Sequence, residues 1–384
     1  MVSKIYALVG GWDFKPRDLG LSVYRYNSED AALDYMDTYF PEVCVGQQFL
    51  DNERRMVYIT NECDSLPGKI GGGGSVLAIE IDGESGKLSL LNRKASLAVK
   101  PSYVWVDKTK RYALVPHHGG RGHVTKILRK AGGGLTSETL FDDAALVLFR
   151  LEADGSLGEP CDALITPGKF PNPVHALSHQ HSVVGDPSGS IFIVCDKGTD
   201  EIYSLRIDYK TEKLVLLDTA ASETGNAPRY SVFHPVLPVF YSNNETNPVL
   251  SAYHYDKDSG VLTPSGELPL TAGKRKTEDG KTIMPSDIVI EHGGRFLFVS
   301  LRDTETIAVV ALDGAGNMEL RQTVNCEGKN PRGLTLSPDE QYLFSLNVGS
   351  DNISAFVVAE DGTLSFTGKM TKALCPGTMK FVTV

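Results

Sequence analysis

One sequence pattern recurs along this chain, and it constrains the fold more than any other feature of the sequence. The pattern consists of an opening turn, a short apolar strand, a tight turn, a second strand that ends in Ser or Asn, and a third strand. Two copies that begin with Pro-Arg lie 103 residues apart, at Pro228 and Pro331, and another copy begins between them at Pro285. Internal repeats of this length indicate a ring or an array of similar units.

The repeat divides the chain into seven units. Three units begin near residues 228, 285 and 331, and the weaker upstream copies include residues 4–9 and 21–26, residues 47–50, 56–61 and 75–81, residues 101–106 and 112–115, and residues 181–187, 191–194 and 201–207. The strands are short, rich in β-branched and aromatic residues, and separated by Gly, Pro, Asn and Asp. A Gly two residues before Leu marks the last strand of several units, at Leu88, Leu157, Leu262 and Leu364. Four strands per unit, repeated at roughly 40 to 50 residues, predict an all-β, seven-bladed β-propeller with antiparallel blades.

We expect the whole chain, residues 1–384, to form a single propeller domain. Residues 377–382 form a strand left over after the last unit, and we expect it to close the ring beside the N-terminal strands. An open sandwich or two separate all-β domains are the structural alternatives, but no Pro/Ser-rich or charged linker divides the chain. Residues 129–143 are predicted to form an inserted loop in the third unit, and residues 273–281 a solvated surface loop.

The composition of the chain limits the kinds of molecule that we expect it to bind. The formal charge of −10 and the pI of about 5.4 give no reason to expect nucleic acid or an anionic membrane as a partner. A small anionic substrate would therefore need a local cluster of basic residues. The sequence has no apolar run of about 18 residues and no signal-peptide core, so we expect a soluble, cytoplasmic protein. The six cysteines form no C-x-x-C pair and are expected to be reduced and mostly buried. The sequence leaves a monomer and a homodimer both open.

In a propeller, equivalent positions of successive repeats converge at one end of the central axis, so candidate site residues are sought by repeat position. The opening turns of three units contain His179 to His181, Arg229 and Arg332. The turns after the second strands contain Asn61-Glu62, His117-His118, Asp196-Lys197, Asn244-Glu245, Arg302-Asp303 and Asn347. Charged and imidazole groups at these turns predict an anion-binding, acid–base site. The structural alternative is that they tie neighbouring blades together or satisfy local turns.

Several of these motifs together resemble the lactonase family of seven-bladed propellers, which includes bacterial 6-phosphogluconolactonases and fungal carboxy-muconate cyclases. The resemblance extends over essentially the whole chain. It is carried by His179-x-His181-Ser182, Asp196-x-Gly198-x-Asp200, Pro228-Arg229 with His234-Pro235, Asn244-Glu245, and residues 294–302. The resemblance implies a site that needs no cofactor and no metal, with His181, Arg229, Glu245 and Arg302 as the catalytic residues. At neighbouring repeat positions we expect His179, His118, Asp196 and Arg332 to bind an anionic small-molecule lactone.

The sequence departs from the usual family pattern at several places. Tyr230 stands where the family often has His, and His117-His118 replaces an Asn-Tyr pair. Leu301 interrupts a Ser-Asn-Arg motif, and residues 291–294 replace Ser-Pro-Asp-Gly. The fold and the general site are expected to survive these changes, whereas the particular substrate is left open.

Lactone hydrolysis requires a base for the attacking water and a donor for the developing oxyanion. Glu245 or His181 can act as the base, while Arg229 or Arg302 can hold the oxyanion or a substrate anion. We expect hydrolysis of a sugar lactone, with 6-phosphogluconolactone first. The alternatives are a cyclising enzyme of the muconate type, a metal-dependent lactonase that uses the His-rich loops, and a non-catalytic scaffold.

Overall fold

The computed structural model describes residues 4–13, 19–66, 68–169 and 177–384, and these residues form thirty β-strands. Within these four ranges no residue is helical, so none of them holds a helix that could cross a membrane. The central strands of the sheets are buried on both faces, as Met56 to Asn61 illustrates. Valine, isoleucine, tyrosine and phenylalanine dominate such strands because their side chains pack well on a pleated surface. The predicted all-β class is therefore confirmed.

The strands form seven four-stranded antiparallel sheets, which are the blades of a propeller. The chain starts in blade 1 with β1 (Ile5–Gly11), β2 (Leu21–Asn27) and β3 (Ala32–Tyr39). Blade 2 consists of β4 (Val45–Asp51), β5 (Met56–Asn61), β6 (Ser75–Ile81) and β7 (Leu88–Ala95). Blade 3 begins with β8 (Trp105–Val106) and β9 (Tyr112–Pro116), continues through a separate hairpin of β10 (His123–Arg129) and β11 (Leu135–Phe141), and ends with β12 (Ala144–Leu151) and β13 (Leu157–Thr166).

The remaining blades follow without insertions between their strands. Blade 4 consists of β14 (Gln180–Gly185), β15 (Phe192–Asp196), β16 (Glu201–Asp208) and β17 (Lys213–Ala221). Blade 5 consists of β18 (Pro228–Phe233), β19 (Val239–Asn244), β20 (Val249–Tyr255) and β21 (Leu262–Pro269). Blade 6 consists of β22 (Pro285–Ile290), β23 (Phe296–Leu301), β24 (Thr306–Leu312) and β25 (Met318–Asn325). Blade 7 consists of β26 (Pro331–Leu336), β27 (Tyr342–Asn347), β28 (Asn352–Val358) and β29 (Leu364–Lys372), after which β30 (Pro376–Thr383) returns to blade 1.

The two ends of the chain close the ring, as the sequence predicts. Strand β30 pairs antiparallel with β1, with Tyr6 opposite Val382 and Val9 opposite Met379. Blade 1 therefore has the order β3-β2-β1-β30, and β30 is its innermost strand. Closure of this kind joins strands from opposite ends of the chain and packs blade 1 between blades 2 and 7.

The hydrophobic core lies between successive blades. Between blades 5 and 6, for example, Tyr241 and Leu250 pack in one buried cluster with Leu297 and Val310. The hydroxyl of Tyr241 donates a hydrogen bond across this interface to the carbonyl oxygen of Gly316, at 2.8 Å. Burial of both faces against neighbours fixes each blade relative to the next, and this rigidity is what can hold a site assembled from many blades.

The predicted loop at residues 129–143 is wrong in detail. Residues 123–141 form a two-stranded hairpin in which Val124 pairs with Leu140 and Arg129 with Leu135. The glycines at 132–134 form the tip of this hairpin, where two of them have positive φ. The β-branched and leucine residues on either side supply the strands, while the glycines supply the turn that the sequence signalled. Residues 273–281 are mostly exposed, as expected for a surface loop.

The second strands of the blades end at the same end of the ring, next to the axis. Strands β5, β9, β15, β19 and β23 reach this end at Asn61, Pro116, Asp196, Asn244 and Leu301. The residues that follow these strands face one another although they are distant in sequence. Of the six cysteines, Cys195, Cys326 and Cys375 are buried, and the other three are half-buried.

Candidate active site

A cavity of about 810 Å³ opens where the second strands end. Every blade contributes to its wall, and in blade order the lining includes Trp12, Glu62, His118, His181 with Lys197, Arg229 with Glu245, Arg302, and Arg332. Six of these residues directly follow a second strand or lie one position beyond it. The repeat therefore converts one sequence position, used in successive units, into a continuous ring of functional groups.

The cavity is basic although the chain is acidic. Among the residues that the structure describes, seven basic and five acidic side chains line it, a surplus of two positive charges. The whole chain has a formal charge of −10. Clefts lined by one sign of charge concentrate ligands of the other sign. The local basic cluster that a small anionic substrate requires is therefore present.

Glu245 is the centre of the most highly charged part of the cavity. One carboxylate oxygen, Oε1, accepts a hydrogen bond from Lys197 Nζ at 2.8 Å. The other oxygen, Oε2, lies 2.9 Å from Arg229 Nε and 3.6 Å from Arg302 Nη2. Three cations from blades 4, 5 and 6 thus meet at a single carboxylate from blade 5.

These contacts fix the charge of Glu245. Burial by itself would raise the pKa of this carboxyl, but Lys197, Arg302 and Arg229 outweigh burial and hold the pKa well below its usual range. Burial also lowers the pKa of Lys197, against the attraction of Glu245. Burial lowers the pKa of Arg302 to about 10, so its guanidinium remains charged at neutral pH. Glu245 is consequently an anion that neutralises part of the surrounding positive charge.

Arg229 is held rigidly. Its side chain is only 2% exposed, and its Nη1 donates a hydrogen bond to the backbone oxygen of Ser286 in blade 6. Its guanidinium lies over the ring of Tyr230, 4.3 Å from the centroid. Arg302 is held less completely, because its buried Nη2 atom has no hydrogen-bond partner among the described residues. A buried guanidinium nitrogen with an unused proton can donate a hydrogen bond to a ligand oxygen.

Three histidines pack against one another beside this cluster. The rings of His118 and His179 are parallel, with centroids 4.4 Å apart, and His181 meets His118 edge-on at 5.9 Å. His181 also packs edge-on against Tyr230, with ring centroids 5.3 Å apart. Its Nδ1 atom is buried and has no hydrogen-bond partner in the described part of the chain. Burial, followed by the nearby charges of Arg229 and Lys197, lowers the pKa of His181 well below its usual value, so this imidazole is neutral at pH 7.

Six of the eight site residues expected from the sequence line this cavity: His118, His181, Arg229, Glu245, Arg302 and Arg332. The other two, His179 and Asp196, do not line it. The buried carboxylate of Asp196 accepts hydrogen bonds from Ser178 Oγ and from the backbone nitrogens of His179, Gly198 and Thr199. Asp196 therefore organises the turn that positions Lys197, and His179 supports the ring of His118. The catalytic and binding roles of all eight residues remain predictions.

The opposite wall contains residues that the sequence reasoning did not select. Glu62 Oε2 accepts a hydrogen bond from Trp12 Nε1 at 2.8 Å and lies 3.6 Å from Arg332 Nη2. The Arg332 guanidinium lies over the Trp12 ring, 3.9 Å from its centroid. The sequence did contain a signal for Glu62 and Lys197, because both occupy the same repeat position as Glu245. Trp12 gave no such signal, since the residues around it do not match the repeat.

Among the residues within the described ranges, no group of three or more His, Cys, Asp or Glu side chains is arranged to hold a metal ion. The cavity brings together the imidazoles of His118 and His181, the cations of Lys197, Arg229, Arg302 and Arg332, and the carboxylates of Glu62 and Glu245, besides other charged side chains.

The fold and this cavity define a seven-bladed propeller with a candidate anion-binding and acid–base site at one end of its axis. A model of the family described as lactonase, 7-bladed beta-propeller, matches residues 7–381. The chain belongs to that lactonase family.

Similar proteins carry related names. A 6-phosphogluconolactonase of Bacillus subtilis is 26% identical over 315 residues, which cover 81% of this chain and 79% of the relative. A 6-phosphogluconolactonase of Formosa agariphila is 21% identical over 358 residues, covering 91% of each protein. The solved structure of a periplasmic gluconolactonase from Pseudomonas aeruginosa matches with a TM-score of 0.83 at 21% identity, covering 98% of this chain and 99% of that one. At this level of identity the structural likeness shows the fold.

Proposed function

We propose that this protein hydrolyses the lactone of an acidic sugar derivative, with 6-phosphogluconolactone as the first candidate substrate. Membership of the lactonase family supports the reaction class. The names of the relatives from Bacillus subtilis and Formosa agariphila support the choice of substrate. The surplus of positive charge in the cavity suits a substrate that carries a phosphate or a carboxylate.

The observation that carries the proposal is the neutral imidazole of His181 in the same cavity as a carboxylate bound by three cations. Both carboxylate oxygens of Glu245 are already engaged, Oε1 by Lys197 and Oε2 by Arg229, whereas the Nδ1 atom of His181 has no hydrogen-bond partner in the described part of the chain. A neutral imidazole can accept a proton from water at pH 7. We therefore assign His181 as the general base and Glu245 as the counter-ion that positions Lys197, Arg229 and Arg302.

The guanidinium groups supply the second requirement of the reaction. When water attacks the lactone carbonyl, negative charge develops on the carbonyl oxygen. Arg302 presents a buried Nη2 proton without a hydrogen-bond partner in the described structure, and Arg229 is already fixed in place. Donors that are held in position before the reaction stabilise the oxyanion without a further cost of reorganisation. One such donor contributes on the order of 3 kcal/mol, which corresponds to roughly 100-fold to 1,000-fold in rate.

Assays with 6-phosphogluconolactone, unphosphorylated glucono-δ-lactone and a muconolactone test the proposal, after correction for uncatalysed hydrolysis. The wild type should prefer the phosphorylated sugar lactone. Arg302→Ala should lower kcat/KM at least 100-fold while its far-UV circular dichroism spectrum stays the same as that of the wild type. Arg295→Ala is the matched control, because Arg295 pairs with Glu291 at an exposed turn of blade 6 and does not line the cavity. Failure of the wild type to accelerate the hydrolysis of any of the three lactones would overturn the proposal.

A further inference from the structure

Glu62 is a second carboxylate in the cavity, and the chemistry assigned so far does not use it. It follows Asn61 at the end of β5 in the same way that Glu245 follows Asn244 at the end of β19. Both carboxylates line the cavity, one from blade 2 and the other from blade 5. A lactonase with His181 as the base still requires a proton for the ring oxygen that leaves the carbonyl carbon.

The two oxygens of Glu62 have different surroundings. Oε2 is fixed by the hydrogen bond from Trp12 and by the ion pair with Arg332. Oε1 accepts no hydrogen bond from the protein groups that the structure describes. The Glu62 side chain is 11% exposed, and that exposed part faces the cavity. One oxygen is thus anchored, which leaves the other available to a ligand.

The backbone of blade 2 is adapted to this placement. Gly46 lies on the innermost strand, β4, and a Cβ atom at this position would come within 2.8 Å of Thr60 Oγ1 and within 2.9 Å of both Glu62 Oε2 and the Pro101 carbonyl oxygen. The absence of a side chain at Gly46 therefore leaves room for the Glu62 carboxyl group together with these two neighbours.

The pKa of Glu62 is shifted in the opposite direction from that of Glu245. Burial raises the pKa of Glu62, and the attraction of Arg332 and the hydrogen bond from Trp12 offset this only in part. The other ionisable groups that act on Glu62 are Arg229, Lys197, Cys44 and Cys63. An anionic substrate that binds nearby raises the pKa of Glu62 further, because a second negative charge disfavours ionisation. A neutral imidazole such as His181 in the same cavity as a carboxyl group whose pKa is raised gives separate base and acid roles to two groups.

We propose that Glu62 is the general acid that protonates the leaving ring oxygen, an assignment that rests on the proposed lactonase function. Water adds to the carbonyl carbon as His181 takes one of its protons, and the carbonyl oxygen becomes an oxyanion beside Arg229 and Arg302. As the carbonyl re-forms, the bond from carbon to the ring oxygen breaks and the Oε1 proton of Glu62 passes to that oxygen. The product carboxylic acid and the protonated His181 then hold one proton each, of which one restores Glu62 and the other passes to solvent.

The dependence of the rate on the leaving group distinguishes this role from a structural one. Glu62→Gln keeps an acceptor for Trp12 but cannot donate a carboxylic proton. For 6-phosphogluconolactone, whose leaving group is a strongly basic alkoxide, kcat should fall at least 100-fold. For dihydrocoumarin, whose leaving group is a phenolate of pKa about 10, kcat should change less than about fivefold. Glu291→Gln is the matched control, since Glu291 is equally exposed at 11%, pairs with Arg295 and lies outside the cavity.

A second variant keeps the test decisive if Glu62→Gln misfolds or if dihydrocoumarin is a poor substrate. Trp12→Phe retains an aromatic ring under Arg332 but removes the hydrogen bond that lowers the pKa of Glu62. Loss of this hydrogen bond raises the pKa of Glu62. Because the general acid must be protonated to act, the alkaline limb of the pH profile of kcat should move to higher pH in this variant. A merely structural contact would change the size of kcat without moving this limb.

The outcomes separate the two proposals. If the wild type hydrolyses lactones but Glu62→Gln slows both leaving groups equally or neither, and the limb does not move in Trp12→Phe, then Glu62 is not the general acid and the lactonase function stands. If the wild type hydrolyses no lactone, the proposed function fails first and the role of Glu62 falls with it. Selective loss with the alkoxide leaving group, together with an upward shift of the limb, supports both.

Discussion

The contacts of Glu245 predict a large loss of stability when its charge is removed. In Glu245→Gln, the buried side chains of Lys197 and Arg229, which are 9% and 2% exposed, lose the anion that lies 2.8 Å and 2.9 Å from their nitrogens. Arg302, at 3.6 Å, loses the same partner. Removing one partner of a buried ion pair typically costs about 3 to 5 kcal/mol, because an uncompensated charge remains in a poorly solvated place. We expect the free energy of unfolding to fall by that amount.

The assay is urea unfolding at pH 7 and low ionic strength in a buffer without multivalent anions, because phosphate would bind to the unpaired cations and restore stability. Lys197→Met combined with Glu245→Gln should recover about 1 to 3 kcal/mol of the loss, since it removes one of the stranded charges. Adding phosphate should stabilise Glu245→Gln more than the wild type. A loss below about 0.5 kcal/mol for Glu245→Gln would refute the view that Glu245 is the counter-ion of this cluster.

Three further predictions follow from burial and ring closure. Because burial lowers the pKa of His181, the acid limb of kcat/KM for unphosphorylated gluconolactone should lie below pH 6.5, the usual pKa of histidine; a limb at or above that pH would contradict a neutral buried base. Burial lowers the pKa of His117 to about 4, so the unfolded chain binds more protons than the folded one between about pH 6.5 and 4. The contribution of His117 to the free energy of unfolding should therefore fall by about 3 kcal/mol as the pH drops through that window, so in urea titrations His117→Asn should decline less steeply than the wild type by about that amount. Deleting residues 376–384 removes the innermost strand of blade 1 with the buried side chains of Met379 and Val382. Size-exclusion chromatography should then show aggregated protein, and calorimetry should show no cooperative transition. A monomeric, cooperatively folded truncation would show that closure by β30 is dispensable.

The repeat made most of the fold predictable from the sequence. The prediction was wrong where the chain departs from the repeat. Strands β18 to β20 and β26 to β28 follow the copies that begin at Pro228 and Pro331, because alternating apolar residues and turn residues are local signals. The hairpin at residues 123–141 was missed because its strands belong to no repeat, although the glycines at 132–134 correctly marked a turn. Local patterns indicate which segments can form strands. An insertion matches no other copy of the repeat, so comparison between copies cannot predict its structure.

The candidate site shows the same division. Repeat position alone brought Arg229, Glu245 and Arg302 together, since equivalent turns of a closed ring must converge. Repeat position could not separate Lys197, which faces the cavity, from its neighbour Asp196, which turns away to bind the backbone of its own turn. Adjacent residues at the end of a strand point in different directions, and only the packed structure decides which of them reaches the axis.

The sequence by itself determined the blade count, the all-β class and the set of turns that meet at one end of the ring, because each depends on a pattern that repeats along the chain. Only the tertiary structure decided which carboxylate is surrounded by three cations, and which has one oxygen that accepts no hydrogen bond from the described part of the protein. The charge state of a buried group depends on how deeply it is buried and on charges contributed by other blades. Those distances exist only once strands from both ends of the chain have closed the ring.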